Sequence, residues 1–295
     1  VAVSPTWAAG WCRTHLGAEP VETRFVVSHL SEVVGLRLGG GAEVVLKRRA
    51  EANGRAQRCV TAQRLLAEDG FPCPLPLTDA IVEAGVAVHA ERLVVGGEVE
   101  TDDSPAAAAR SAALLADHVR RLERLGVDPP LPNPEWVDWH APPARHDGVA
   151  APDWMGDLRR RVQAKLAGCE LAAVVGHVDW EAQNMRWRDG RPLVVHDWDS
   201  LASMPEAAIA GTAAGVFASH GAPVLAPLES SAAFLDAYER ARGFVFGPHE
   251  REVAWAASLW VALHNAYDEL LFARPRLSFE RLAAQRDDRL ARACA

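Results

Sequence analysis

Val174-Val175-Gly176-His177-Val178-Asp179-Trp180-Glu181-Ala182-Gln183-Asn184 and, shortly after, Leu193-Val194-Val195-His196-Asp197-Trp198-Asp199 decide how this chain is read. Each stretch opens on an apolar, strand-like run and ends in a polar loop. The first has the spacing His-x-Asp-x-x-x-x-Asn, and the second places an Asp 13 residues after that Asn. Residues 185–193 alternate around Asp189-Gly190, a hairpin signal. Two carboxylates and an amide on successive loops are what phosphoryl transfer from a nucleotide needs. One carboxylate orients and deprotonates a hydroxyl; an Asn and a second Asp hold Mg²⁺ on the phosphates. The three fixed letters alone recur by chance, whereas run, loop, hairpin and second run together are more specific. The plain alternative is that Asp and Asn cap helices and fill turns.

Upstream, residues 5–16 read as a helix, with Ser4 as cap and Pro5 at its first position. Residues 22–27, 33–38 and 42–47 read as strands, the last two joined by Gly39-Gly40-Gly41. A helix over 55–69 follows, then strands over 81–83 and 86–93. The pattern predicts a five-stranded antiparallel sheet with one helix inserted after its third strand. Past Gly96-Gly97, Ser104-Pro105 opens a helix to about residue 125. Residues 126–152 are Pro-rich and read as a packed loop, and 153–168 as a helix. Beyond Leu201 the reading is almost wholly helical, over 205–219, 230–242, 248–273 and 278–293.

At 295 residues the chain holds one large or two medium domains. Its hydrophobic content of 49% and charged content of 24% are those of an ordinary globular protein. A net charge of −8 argues against a nucleic-acid partner. No apolar run reaches the length of a membrane span, and no leader pattern is read. Five scattered cysteines without Cys-x-x-Cys fit reduced thiols in a cytoplasmic protein.

The two loops resemble the catalytic core of the aminoglycoside phosphotransferase and choline kinase group, whose pattern is His-Gly-Asp-x-x-x-x-Asn followed by Ile-Asp-(Trp/Phe). Val178 replaces the Gly here, and His196-Asp197-Trp198-Asp199 carries the second motif. The order of elements resembles that group along nearly the whole chain, although only the two loops are motif-grade. The resemblance implies an α+β, two-lobed protein-kinase-like fold. A small antiparallel sheet lobe would span residues 1–95, and a larger, mostly helical lobe 96–295. It implies an ATP- (or GTP-) and Mg²⁺-dependent O-phosphotransferase acting on a small-molecule hydroxyl. An aminoglycoside or related cationic antibiotic is the first choice of acceptor, as in antibiotic resistance. A metabolite such as choline, an amino acid or a sugar is the alternative. It says nothing of oligomeric state.

Residue by residue, the resemblance makes Asp179 the base and Asn184 and Asp197 the metal ligands, and leaves Asp199 without a fixed role. Lys47, ending an apolar strand, falls where the group's phosphate-binding lysine sits. Ser28 and Ser31, in a loop without glycines, would cover the phosphates. Glu91 and Leu93 fall in the segment whose backbone meets adenine. One departure stands out: the helix glutamate that ties down the lysine would fall near Cys59, where there is no carboxylate. Glu51 or Glu68 are candidates to replace it.

For the acceptor, Trp180 is placed beside the cleft. Trp260, His264 and Asp268 share one helix face at i, i+4 and i+8, with Glu269 beside them. An aromatic with carboxylates suits an aminated sugar. A solvated face with a His264–Asp268 pair is the bland alternative. Two other classes share some of these features. His177, Asp179, His196 and Asp197 are the ligand types of a two-metal phosphohydrolase, but no further His/Asp cluster stands upstream. The missing helix glutamate fits a nucleotide-binding, inactive kinase-like protein, but an intact Asp179, Asn184 and Asp197 do not.

Overall fold

The computed structural model describes residues 5–28, 31–51, 53–141 and 143–295. It divides into two compact units, Val1–Gly96 with Val194–Asp199, and Gly97–Leu193 with Ser200–Ala295. The architecture is that of a two-lobed kinase-like protein, with an antiparallel sheet in one unit and mainly helices in the other. Among the described residues no helix is long and apolar enough to cross a membrane.

In the first unit, helix α1 (Thr6–Leu16) precedes strands β1 (Pro20–Ser28), β2 (Glu32–Leu38) and β3 (Glu43–Ala50). Helix α2 (Arg55–Glu68) and strands β4 (Ile81–Glu83) and β5 (Val86–Arg92) follow. The sheet is antiparallel throughout, in the order β1-β2-β3-β5-β4. Ser4, expected to cap α1, lies outside the described residues, and Pro5 stands at the N-cap, one place before the position expected of it.

Strand alternation gives the sheet two distinct faces. Val34, Leu36, Leu38, Val44, Leu46 and Ala90 pack with Ala8 and Cys12 of α1 in one apolar cluster. On the other face, β3 carries Val45 and Lys47. Their register partners on β5 are Glu91 and His89. Period-two geometry thus sets Lys47 and Glu91 as diagonal neighbours on the face away from α1.

The second unit holds α3 (Pro105–Arg124), α4 (Asp153–Ala167), β6 (Ala173–His177) and the hairpin strands β7 (Met185–Arg188) and β8 (Arg191–Val195). Strand β9 (Leu201–Pro205) and helices α5 (Glu206–Val216), α6 (Leu228–Arg242), α7 (Pro248–Leu271) and α8 (Leu277–Ala293) complete it. Ser104 caps α3 as expected, accepting the Ala107 N–H at 3.3 Å. Asp189 and Gly190 take φ values of 52° and 71°, the left-handed pair a two-residue hairpin turn requires.

Strand β9 is an element that the almost wholly helical reading beyond Leu201 does not contain. It pairs antiparallel with β6, His177 opposite Leu201 and Val175 opposite Ser203. Leu201, Ala202 and Met204 are all buried, so no polar alternation marks the strand. Helix α5 is buried from Ala207 to Val216. A Cβ on Gly211 would lie 2.0 Å from the Ala254 carbonyl oxygen, so glycine there lets α7 approach to backbone contact. Among the described residues of 126–152, helical structure is limited to two short 3₁₀ turns, Glu135–Val137 and Ala144–His146.

Candidate active site

The candidate groups are divided between the units. Lys47, Glu91, Asp197 and Asp199 belong to the first; Asp179, Asn184 and the helix α7 residues belong to the second. The segment Val194–Asp199 packs with the sheet unit, whereas the sequence places it in the helical lobe of 96–295. The Val195 N–H donates to the Pro72 carbonyl at 2.8 Å, and the Trp198 ring meets Phe71 edge-on at 6.0 Å.

In this unit Lys47 is buried, 6% exposed, and its Nζ lies 3.4 Å from Glu91 Oε1. Burial by itself would lower the lysine pKa. Glu91 foremost, then Asp199 and Asp197, outweigh it and hold the ammonium above its ordinary value. Burial would likewise raise the Glu91 carboxyl, but Lys47 and then His89 keep it well below the carboxylate range. Glu91 is completed by Gln63 of α2, whose Nε2 donates to Oε2 at 2.8 Å. Neither sequence candidate for the missing helix glutamate fills that place. Glu51 accepts the Ala56 N–H at 2.7 Å, serving the start of α2, and Glu68 is exposed.

The adenine-contact reading changes too. The Glu91 side chain is engaged with Lys47, and the Leu93 N–H is spent on the Glu43 carbonyl at 3.1 Å. Ser28 ends β1 exposed and Ser31 is half-buried; His29 and Leu30 between them lie outside the described residues. Asp197 is half-buried, with a left-handed φ of 61° that Asp tolerates better than most side chains. Asp199 is anchored: Arg49 pairs with its carboxylate and Arg55 donates to its carbonyl. Arg49 is also the main cause that lowers its pKa against the opposing effect of burial.

In the second unit β6 ends at the buried His177, and the loop turns back at once. The Asp179 N–H donates to His177 Nδ1 at 3.2 Å, and the Val178 N–H to Ser200 O at 2.9 Å. Asn184 Nδ2 donates to Asp179 Oδ2 at 2.7 Å and to the Asp179 carbonyl at 2.9 Å. Its nitrogen is therefore committed, and its amide oxygen is the ligand atom that remains. The far end of the loop is pinned where the Gln183 N–H donates to Ser219 O at 3.0 Å. The arrangement holds one half-buried carboxylate, Asp179, in a fixed orientation. Asn184 in this unit and Asp197 in the first are each a hard oxygen donor of the type Mg²⁺ takes.

Three acceptor assignments are corrected. Trp180 is 0% exposed, its Nε1 donating to Ser111 Oγ at 3.0 Å, so it supports the loop from beneath and lines no cleft. Glu269 accepts the Ser278 and Phe279 N–H groups at 2.7 and 2.9 Å, so it is committed to the start of α8. Asp268 receives His146 Nε2 at 2.7 Å and Arg145 Nε at 3.2 Å, so its charge is already compensated. His264 lies 3.6 Å from Asp268, and Trp260 is buried on the same helix face. The sequence does not reveal these partners because Arg145 and His146 come from the irregular 126–152 segment, which has no periodicity to place them.

A different cavity of about 290 Å³ opens in the second unit, lined by residues that include Thr101, Asp103, His220, Glu280 and Arg281. His220 adjoins Ser219, the acceptor for the Gln183 N–H at the end of the catalytic-type loop. Asp103 pairs with Arg281 at 3.1 Å, while Glu280 is exposed. Sequence reasoning missed this cavity, whose residues come from three separate segments.

Buried histidines make stability pH-dependent. Burial, the largest cause, lowers His264 to about 3, and also holds His89 and His118 below the ordinary range. Unfolded, each binds a proton near pH 6.5. The unfolded chain therefore binds more protons below that pH, and stability falls as pH drops from about 6.5 towards 3. The thermal midpoint should be lower at pH 5 than at pH 7, and the difference should shrink in His264→Phe. A midpoint equal at both pH values would disprove this.

No protein-family model matches the sequence, and no curated protein matches it either. Solved structures do match. Amicoumacin kinase hAmiN, in complex with AMP-PNP, Ca²⁺ and Ami, superposes with a TM-score of 0.66 at 13% identity, over 92% of this chain and 88% of that one. A thermostable mutant of aminoglycoside phosphotransferase APH(4)-Ia, in ternary complex with AMP-PNP and hygromycin B, gives 0.61 at 15% identity over 98% of both chains. Spectinomycin phosphotransferase APH(9)-Ia, with ADP and spectinomycin, gives 0.60 at 10% identity over 97% and 94%. The chain thus has the fold of the aminoglycoside phosphotransferases and related kinases.

Proposed function

We propose that this protein transfers the γ-phosphoryl group of a nucleoside triphosphate, ATP or GTP, to a hydroxyl of a small cationic antibiotic. The observation that carries the reading is the locked pair Asp179–Asn184. Asn184 Nδ2 lies 2.7 Å from Asp179 Oδ2, in a loop that leaves a strand of a kinase-like fold. Asp179 accepts the hydroxyl proton and orients the oxygen for attack. Lys47 neutralises charge on the nucleotide phosphates. Asn184 and Asp197 hold a divalent ion, which when bound offsets phosphate charge. Positioning supplies most of the acceleration, because a loose transition state needs little covalent help.

Similar folds carry AMP-PNP or ADP with hygromycin B or spectinomycin, which supports an antibiotic acceptor. The cavity with Glu280 and Asp103 on its wall is the acceptor pocket in this reading, in preference to the face of Asp268. Glu280→Gln should raise KM for a cationic acceptor by roughly fivefold, an exposed ion pair's contribution, with little change in kcat. Asp268→Asn should leave that KM near parental. The reverse order of effects would move the acceptor to α7. The direct test is a panel of antibiotics and of metabolite alcohols such as choline, amino acids and sugars, following diphosphate release and product mass. Turnover confined to neutral metabolites would exclude the antibiotic reading and keep the kinase one.

A further inference from the structure

The sequence lacks a carboxylate where a helix glutamate would hold the phosphate-binding lysine, yet Lys47 is buried beside one. We infer that Glu91 of β5 is the positioning residue for Lys47, with Gln63 of α2 orienting Glu91, so that the charge usually carried by the helix is carried by the sheet. The inference rests on the reading of Lys47 as the phosphate-binding lysine.

Three observations support it independently of the resemblance. First, β3 and β5 are paired from Val44 opposite Arg92 to Ala50 opposite Val86, so the Lys47–Glu91 diagonal is fixed by the ladder. Second, both side chains are buried, at 7% and 2% exposure, with Nζ and Oε1 3.4 Å apart. A buried ion pair persists only where its remaining hydrogen-bonding capacity is met. Third, the second Glu91 oxygen is met, by Gln63 Nε2 at 2.8 Å, and the same Gln63 nitrogen donates to the Pro74 carbonyl at 2.8 Å. Gln63 lies one helical turn after Cys59, so α2 still reaches the clamp, but with a neutral amide.

The consequence is functional. A lysine held from a helix is released when the helix swings. A lysine held across a hydrogen-bonded strand pair is not, because moving it requires breaking the ladder. Displacing α2 would cost this clamp the Gln63 hydrogen bond to the Glu91 carboxylate and leave the ion pair in place. The phosphate-binding lysine is therefore held chiefly by the sheet, with helix α2 contributing only through Gln63.

The groups around Lys47 are Glu91, Asp197, Asp199, Arg49 and His89. Glu91→Gln removes the nearest negative charge. Two readouts apply. Acetylation of Lys47 by acetic anhydride at pH 8, followed by peptide mass spectrometry, should rise about tenfold in E91Q, as more of the amine becomes neutral. The KM for the nucleotide should rise about tenfold, more than kcat changes. Gln63→Leu, which keeps the charge, should shift the nucleotide KM no more than about threefold. The exchanged variant Gln63→Glu/Glu91→Gln restores the charge from the helix side and should return acetylation and nucleotide KM to within about threefold of the parent.

Unchanged acetylation in folded E91Q overturns the inference. So does a folded exchange variant that behaves like E91Q. Should E91Q not fold, the exchange variant decides: recovery of folding and of the parental values supports the pairing, and continued failure to fold overturns it. If acetylation responds as expected while nucleotide KM does not, the Lys47–Glu91 clamp stands and the phosphate role of Lys47 is what fails.

Discussion

Asp179→Asn should lower kcat by about 10²- to 10⁴-fold, the range of a positioned general base, while nucleotide affinity stays within about threefold of the parent. The substitution is nearly isosteric. It keeps the main-chain bonds that set the loop: the Asp179 N–H on His177 Nδ1 and the Asn184 nitrogen on the Asp179 carbonyl. What it removes is the carboxylate that takes the proton, along with its charge-assisted bond from Asn184 at 2.7 Å. Since proton transfer matters in the transition state and not in ground-state nucleotide binding, kcat and kcat/KM should fall together. Single-turnover measurements with saturating nucleotide and acceptor would check this. Turnover within tenfold of the parent would remove Asp179 from the reaction.

Asp197→Ala should cost turnover on the order of 10²- to 10³-fold, the loss seen when one preorganised charge-stabilising group is deleted. It differs from the first variant in also weakening nucleotide binding, and only when a divalent ion is present. The reason is local. Asp197 is half-buried with a left-handed backbone at φ 61°, and its neighbour Asp199 is anchored by Arg49 and Arg55. The loop is thus held by Asp199, and Asp197 carries a hard oxygen donor of the kind Mg²⁺ takes. Calorimetric titration of AMP-PNP with and without Mg²⁺ separates the cases. The parent should bind more tightly with Mg²⁺, and D197A should show little difference. A variant that keeps the full Mg²⁺ dependence would exclude Asp197 as a ligand.

The two variants also discriminate among functions. A two-metal hydrolase using His177, Asp179, His196 and Asp197 would lose metal in both. In the structure His177 is buried and occupied by the Asp179 N–H, which does not favour it as a ligand. An inactive nucleotide-binding protein would show no turnover to lose, but would retain the Mg²⁺-dependent binding.

What the sequence determined by itself is whatever short-range pattern encodes. Apolar runs on either side of Gly39-Gly40-Gly41 marked strands, and Asp189-Gly190 marked the hairpin, because turn geometry depends on a few adjacent residues. Ser104-Pro105 marked the start of α3 for the same reason. The loop motifs placed Asp179, Asn184 and Asp197 in the connections between strands, where the structure has them. Strand β9 was not, because Leu201, Ala202 and Met204 are all buried and carry no alternation.

Only the tertiary structure decided which partner each charged side chain keeps. Glu91 and Lys47 are 44 positions apart, and their meeting depends on β3 and β5 pairing in one register. Asp268 looked available on a helix face until Arg145 and His146 arrived from a segment without periodicity. Trp180 and Glu269 looked like cleft residues until burial and the start of α8 claimed them. The physical reason is common to all four. A charge or indole taken out of water must be compensated by whatever the fold brings beside it, and that neighbour is set by long-range packing rather than by spacing along the chain.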